Sequence, residues 1–424
     1  MMPDHSQKSR GTLSGLSLLR EPNFARLFTA RFVSTLGNGF GPVALSFGIL
    51  GMKEGSPWAL SLVLACQTLS MLVFSLFGGV IADRFSRARV MVVAQVTEGF
   101  SYGITALLIF AGNAPIWTLC ACSALSGFCT ALFSPAYVGI VKEVVEETEL
   151  QEANALMKVG INVASILGLS LGGGAVALFG APTSLAIDSL TFFISGLLIL
   201  CTRIRPMDRS GKGSLVQDLK EGASGFFSRT WLWVLSIQYS IAFACVSATM
   251  GVLGPMLAKS ELGGPTSWSA ITAAQAVGTV GGAFVALRVR STRPILVAAC
   301  VTCMMAAIPL ALGAGAPLAV VVLTALAAGV AADIFEVLFF SALQQSVPAE
   351  LISRVGSWDM LGSLSLAPLG VMISGPTAAA FGVHRTLLTF GGVVVIITVC
   401  VLLVPSVRSG RVQSPQSSST LESV

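Results

Sequence analysis

The chain has 424 residues, of which 54% are hydrophobic and only 11% charged, with a formal net charge of +5. Soluble globular chains carry about 25% charged residues and need polar surface to cover their cores. This balance, with a mean hydropathy of +0.84, excludes a soluble globular fold. Apolar runs of about 20 residues recur along the whole length, each enough for a hydrocarbon core of roughly 30 Å.

Residues 1–25 read as a polar, basic cytoplasmic tail without the apolar core of a cleavable signal peptide. Twelve spans follow, at approximately 26–50, 57–82, 90–112, 115–140, 152–179, 182–202, 231–257, 267–287, 294–314, 317–345, 355–380 and 385–405. At these lengths only helices satisfy their own backbone in lipid, since membrane strands are shorter and alternate. The expectation is an all-α polytopic membrane protein with twelve transmembrane helices in two pseudo-symmetric six-helix bundles, 26–202 and 231–405. A cytoplasmic loop, 203–230, joins them, and a Ser-rich tail, 406–424, reads as disordered. Within the loop, Leu215, Leu219 and Phe226 form an apolar stripe opposite Asp218, Lys220 and Glu221, the pattern of a short interfacial helix.

Lys and Arg give the orientation. Arg20 and Arg26, then Arg84, Arg87 and Arg89, Lys142, Arg203 to Arg229, Arg288 to Arg293, Arg354 and Arg408 fall on one side. Only Lys53, Lys259 and Arg385 fall on the other. The positive-inside rule then places both termini in the cytoplasm, which requires an even number of spans. The positive charge is a topological signal spread over short loops, so no nucleic-acid partner is expected.

The nine cysteines lie in apolar runs, and Cys300–Cys303 has no His or second pair beside it. The two histidines, His5 and His384, assemble no zinc site. No cofactor is expected, and without a phosphate-cradling G-x-x-x-x-G-K-[ST] motif ATP is not the expected energy source.

The halves echo one another. Gly78–Gly79 laid over Gly281–Gly282 brings Arg87 onto Arg290, an offset of about 203. SGFCTALFSPAYVGIVKEVV (126–145) falls over AGVAADIFEVLFFSALQQSV (328–347) at an offset of about 202. Two six-span halves on one plan mark secondary transporters, with a substrate site near the midplane between them.

Between spans two and three, Gly79-x-x-x-Asp83-Arg84-x-x-Arg87-x-Arg89 resembles the loop motif of the major facilitator superfamily, with Ser86 and Ala88 departing from it. Stretches such as REPNFARLFTARFVSTLGNGF, SPAY with ELQEANAL, IDSLTF and LQQSVPAELISRVGSWDML are similar to its drug- and siderophore-exporter branch. The resemblance implies proton-coupled export, and a cytoplasmic gate at Gly79, Asp83, Arg84, Arg87 and Arg89. The antiporter motif of the fourth span is missing at Ser123–Gly127. That of the fifth survives in part as Gly168, Gly172, Gly173 and Gly174, with Gly173 in place of its Pro. These glycines also suit close helix packing.

Charges inside spans cost about 2.5–3.5 kcal/mol each at the bilayer centre and need a reason. Asp333 and Glu336 share one face of the tenth span, and their repeat counterparts are Ala131 and Ser134. Two carboxylates this close repel, which favours a proton on one of them; pairing with a Lys or Arg from a neighbouring helix is the other reading. With Glu98 of the third span, they are the candidate proton-coupling residues. Arg31, Asn38, Gln238, Tyr239 and Gln275 are the candidate substrate-cavity residues. Lys158 and Asp188 read as structural, Asp359 as structural or part of the gate, and Asp188 falls near the outer end of its span, within reach of water.

The function expected is secondary active transport in the cell membrane, exporting small amphipathic molecules in exchange for protons by alternating access. The protein is expected to act as a monomer. Uptake of a small metabolite or lipid by a symporter or facilitator is the alternative. A membrane enzyme would need a nucleophile–base or metal constellation, for which the sequence supplies no partners.

Overall fold

The computed structural model describes residues 15–409 except 54, 113, 147–148, 203–214, 287, 289–291 and 349–350. It leaves the side chains of 15–16, 76–84, 138, 142, 215–219, 353 and 357 undescribed. Twelve helices are long and apolar enough to cross a membrane. They are α1 (Pro22–Gly51), α2 (Pro57–Arg84), α3 (Arg87–Phe110), α4 (Ile116–Val144), α5 (Leu150–Phe179) and α6 (Ala181–Leu200). The second set is α7 (Thr230–Ser260), α8 (Pro265–Ala286), α9 (Pro294–Gly313), α10 (Leu318–Ser346), α11 (Arg354–Phe381) and α12 (Val383–Leu402). No strand occurs among the described residues.

Proline and glycine shape the spans. α1 is made of Pro22–Asn38 and Gly41–Gly51. Pro42 has no N–H to return to the Asn38 carbonyl, so the helix bends there. In α7 the turn Thr249–Leu253 widens to a π-helical turn just before Pro255, a local loosening of the kind found at functional sites. Gly180 and Gly382, at φ 82° and 85°, supply the left-handed residues that turn α5 into α6 and α11 into α12.

The repeat is structural, and it corrects one overlay. α4 and α10 begin at Ile116 and Leu318 and end at Val144 and Ser346, 202 positions apart at both ends. α6 and α12 keep the same offset. α2 and α8 begin at Pro57 and Pro265, 208 positions apart. Their contacts agree with the larger offset. A Cβ on Gly127 would stand 2.1 Å from the Gln67 carbonyl, and one on Gly329 would stand 2.1 Å from the Gln275 carbonyl. The overlay of Gly78–Gly79 on Gly281–Gly282 is therefore more than one turn out of register. The difference accumulates between α3, with 24 residues, and α9, with 20. Asp83 does not correspond to Ala286; at 208 its counterpart is position 291, outside the described residues.

The halves meet along α5 with α8 and α2 with α11. Among the described residues, the closest approaches between them lie at the helix ends away from the chain termini. A Cβ on Gly173 would come within 2.2 Å of the Pro265 carbonyl, and one on Gly375 within 2.5 Å of the Pro57 carbonyl. Gly173 and Gly375 are themselves 202 apart, so these are two copies of one contact. The Ser61 and Ser374 hydroxyls bond each other at 3.3 Å, Ser46 Oγ donates to the Gly251 carbonyl at 3.3 Å, and Lys259 Nζ donates to the Leu50 carbonyl. The halves are thus closed on the side away from the termini.

The linker helix Leu215–Phe227 docks on the second half. Phe226 is buried, Glu221 pairs with Arg354, and Gly222 and Gly225 lie against the backbone of Arg354 and the side chain of Val355. The side chains of Leu215 and Leu219 fall outside the described residues.

Candidate functional site

Between the halves, below the closed end, lies a cavity of about 330 Å³. Its wall is mostly apolar, from Leu64, Leu169, Met250 and Trp268, with Ser46, Thr272, Gln275 and Thr279 as polar points. Small-molecule sites combine an apolar wall with a few polar anchors in this way. Gln275 of the expected set lines it.

One or two turns further along α8, Gly282 lets α10 come close. A Cβ there would stand 2.8 Å from the Asp333 Cβ. Asp333 is half-buried and Glu336 exposed. Among the described residues, the buried Oδ2 of Asp333 has no hydrogen-bond partner. Lys158, exposed on α5 of the other half, lies within electrostatic reach of both acids. Tyr239 of α7 is within reach of them too, and its ring stacks on Phe335 at 4.5 Å. The sequence reading treated Lys158 as structural; the packing of α5 on α8 brings it to the acids.

The equivalent place in the first half has different chemistry. Arg31 sits 208 positions before Tyr239, and Phe133 sits 202 before Phe335. The Arg31 guanidinium lies 5.2 Å from the Phe133 ring and 4.9 Å from Tyr137, which places a cation on two aromatic faces. Glu98 of α3 is buried and accepts hydrogen bonds from Ser126 Oγ at 3.0 Å and Thr130 Oγ1 at 3.4 Å. Arg31 and Glu98 lie within electrostatic reach of one another. Phe133, Tyr137, Ser126 and Thr130 were not singled out in the sequence, because an aromatic or hydroxyl residue in an apolar span does not show which way it faces.

The remaining expected residues scatter. Gln238 is fully buried and turns to α9 and α12, its Nε2 donating to the Ala299 carbonyl at 2.9 Å and Thr398 Oγ1 at 3.1 Å. Asn38 is exposed at the α1 bend. Gly168 and Gly172 pack α5 on that bend, Gly173 packs across the halves, and Gly174 faces open space. Asp359 is buried and accepts hydrogen bonds from Ser236 Oγ and, at 3.2 Å, Ser363 Oγ. Asp188 is fully buried, away from the water its sequence position suggested.

In the loop motif, Arg87 opens α3 and reaches the end of α4. Its Nη1 donates to the Gly139 carbonyl at 3.0 Å and to Glu143 Oε1 at 3.1 Å, and Glu143 is almost fully buried. Arg89 is exposed. Gly79, Asp83 and Arg84 lie in the stretch without described side chains.

Two six-helix halves closed on one side, around a cavity that both of them line, have the architecture of a membrane transporter. The family model of the Major Facilitator Superfamily matches residues 27–368, and the chain belongs to that superfamily, whose members are transporters. It is 25% identical to the multidrug efflux pump Tap of Mycolicibacterium fortuitum, over 92% of this chain and 97% of that one. It is 27% identical to the MFS-type transporter YkuC of Bacillus subtilis, over about half of each chain (49% and 50%). The staphyloferrin A transporter of Staphylococcus aureus matches at 25% over 41% of this chain and 44% of that one. Among solved structures, the nucleoside transporter NupG superposes with a TM-score of 0.68 at 14% identity, covering 89% of this chain and 98% of that one. An inward-facing bacterial homologue of the lysosomal transporter Spinster superposes at 0.70 and 13%, covering 96% and 100%. These likenesses fix the fold: an all-α, twelve-helix, multi-pass membrane carrier.

Proposed function

We propose that the protein exports small amphipathic molecules from the cytoplasm across the cell membrane, as a monomer, by proton antiport with alternating access. The observation that carries this reading is the constellation between the halves. Asp333 and Glu336 of one half face Lys158 of the other, beside a cavity with a mostly apolar wall. An acid pair opposite a lysine can exchange a proton for an ion contact, and the exchange differs between the two states of the cycle. One proton moving down 100 mV supplies about 2.3 kcal/mol, a useful driving force for a bound amphipathic solute. The likeness to a multidrug efflux pump over nearly the whole chain supports export. With the termini in the cytoplasm, as the arginine distribution implies, the side closed here is the outer one and the cavity faces the cytoplasm. Glu98 then belongs to the first half's share of the coupling machinery, Arg31, Tyr239 and Gln275 to the substrate path, and the Arg87–Glu143 pair to the cytoplasmic gate.

The test is flux in inverted membrane vesicles with an imposed pH gradient, using a panel of antibiotics, siderophores and lipids. Export predicts accumulation inside inverted vesicles when their lumen is acid, and its loss on collapse of the gradient. Accumulation only in right-side-out vesicles would establish uptake instead.

A further inference from the structure

Asp188 is a buried acid that the site above leaves unused. It lies about two turns into α6, is fully buried, and among the described residues its Oδ2 has no hydrogen-bond partner. Its Oδ1 is met only by the Thr191 hydroxyl, at 3.5 Å. A carboxylate in this setting costs several kcal/mol unless a cation accompanies it. The ionisable groups acting on it are Tyr102 and Glu98 of α3, while the Arg31 cation of α1 acts on Glu98. The segment of α1 packed beside it, Gly41–Gly51, has no titratable residue. With an acid as its charged neighbour, the group that balances Asp188 is a proton.

The carboxyl packs against α1 at its bend. A Cβ on Gly37 would stand 2.7 Å from Asp188 Oδ1, and one on Gly41 would stand 2.7 Å from Oδ2. The two oxygens therefore meet α1 on either side of the break at Gly39–Phe40. The segment beyond the bend makes the contacts that close the halves, from Ser46 to the Gly251 carbonyl and from the Leu50 carbonyl to Lys259. A small cavity of about 10 Å³ is lined by Leu45 of α1 and by Gln67, Ser101, Tyr102, Ser123 and Ser126 among others. That is close to the least space that holds one water. Ser126, which donates to Glu98, also accepts from Gln67 Nε2 at 3.4 Å. A polar path thus runs from Glu98 through Ser126 and the cavity to Tyr102, which is within electrostatic reach of Asp188.

We propose that Asp188 is a second proton-binding site, in the first half. The proton it carries holds the bend of α1 and, through Gly41–Gly51, keeps the outer contacts between the halves closed. Losing that proton puts an unbalanced charge at the bend, within reach of Glu98, and the charge is relieved when the bend opens and admits water. Closure is therefore favoured at low pH and opening as pH rises. The inference builds on the proton-coupled reading above but assigns it a group apart from Asp333 and Glu336.

Spin labels at Lys53→Cys and Ser260→Cys, in full-length protein with the exposed Cys201, Cys300 and Cys400 replaced by Ser, report the outer contact in nanodiscs without substrate. Wild type is expected to show the short distance at low pH and a growing long-distance population as pH rises. Asp188→Asn is expected to keep the short distance throughout, while Asp333→Asn and Glu336→Gln keep the wild-type response. A wild-type response in Asp188→Asn, or no pH response in wild type, overturns the proposal. The second readout is the infrared carbonyl band of a protonated carboxyl, expected in wild type, shifted in Asp188→Glu and lost in Asp188→Asn. No band that responds to these changes also overturns it. Neither readout depends on substrate or direction, so failure of the export reading leaves this one standing.

Discussion

The first and second halves place the same frame around opposite chemistry. In each, a helix pair packs through a glycine against a glutamine carbonyl, Gly127 on Gln67 and Gly329 on Gln275; a Cβ on either glycine would stand 2.1 Å from that carbonyl. In each, a pair of stacked aromatics one turn apart lies on the inner helix: Phe133–Tyr137 at 6.1 Å and Phe335–Phe339 at 5.4 Å. Over that pair the first half lays Arg31 and the second lays Tyr239. The first half buries Glu98 and Asp188; the second buries Asp359 but leaves Asp333 half-buried and Glu336 exposed. Residues that repeat are those the packing needs. Residues that differ carry charge, and they are where function is to be sought.

The largest effect should come from the repeated closing contact. Gly173→Leu and Gly375→Leu each force a side chain into a backbone carbonyl, and overpacking of this kind costs about 1–3 kcal/mol. Both should shift the halves toward the outward-open state by similar amounts, read as a lengthened distance between labels on the outer ends of α1 and α7. An effect from one alone would show that the closure is not shared.

Arg87→Ala comes next. It removes the Arg87 contact from the buried Glu143, a charge-assisted hydrogen bond worth about 2 kcal/mol, measured as a lower Tm in detergent. Glu143→Gln should cost less, since the amide oxygen can still accept from Arg87 and the charge left behind is the less buried of the two. The second half has Gln345 at the equivalent position, 202 residues on, so Gln345→Ala should change Tm little.

Arg31→Ala should cost about 0.5–2 kcal/mol from the lost cation–aromatic contact. Tyr239→Arg tests whether the second half accepts the first half's chemistry. With Asp333 and Glu336 nearby, the new guanidinium should pair with them and suppress transport without lowering Tm. Gln238→Leu should have the least effect on transport: it removes two buried hydrogen bonds worth about 1 kcal/mol each, lowering Tm with transport retained.

Much of this frame was legible in the sequence. Hydropathy and the arginine side bias gave twelve spans in two halves, and the 202 offset placed Asp333 opposite Ala131 and Glu336 opposite Ser134, the correspondence that α4 and α10 show. The glycine overlay failed because Gly-Gly pairs recur wherever helices pack closely, and the shorter α9 shifts the register of everything before it. Side-chain direction was not legible. Gln238 reads as a cavity residue but turns into its own bundle. Lys158 reads as an end-of-span lysine, yet helix packing points it at the other half. Glu143 sits among loop charges in the sequence, and only the approach of Arg87 at Gly139 shows it to be buried. Asp188 could not be told from a water-exposed acid, because its burial depends on α1 packing against it.

The central claim is that Asp333 and Glu336 exchange protons for substrate. Proton movement in proteoliposomes, followed with a pH dye on addition of each member of an antibiotic, siderophore and lipid panel, tests it most directly. The account predicts that a transported compound drives protons in the opposite direction, and that Asp333→Asn with Glu336→Gln abolishes this while substrate still binds. A double variant that moves substrate and protons like wild type would contradict it.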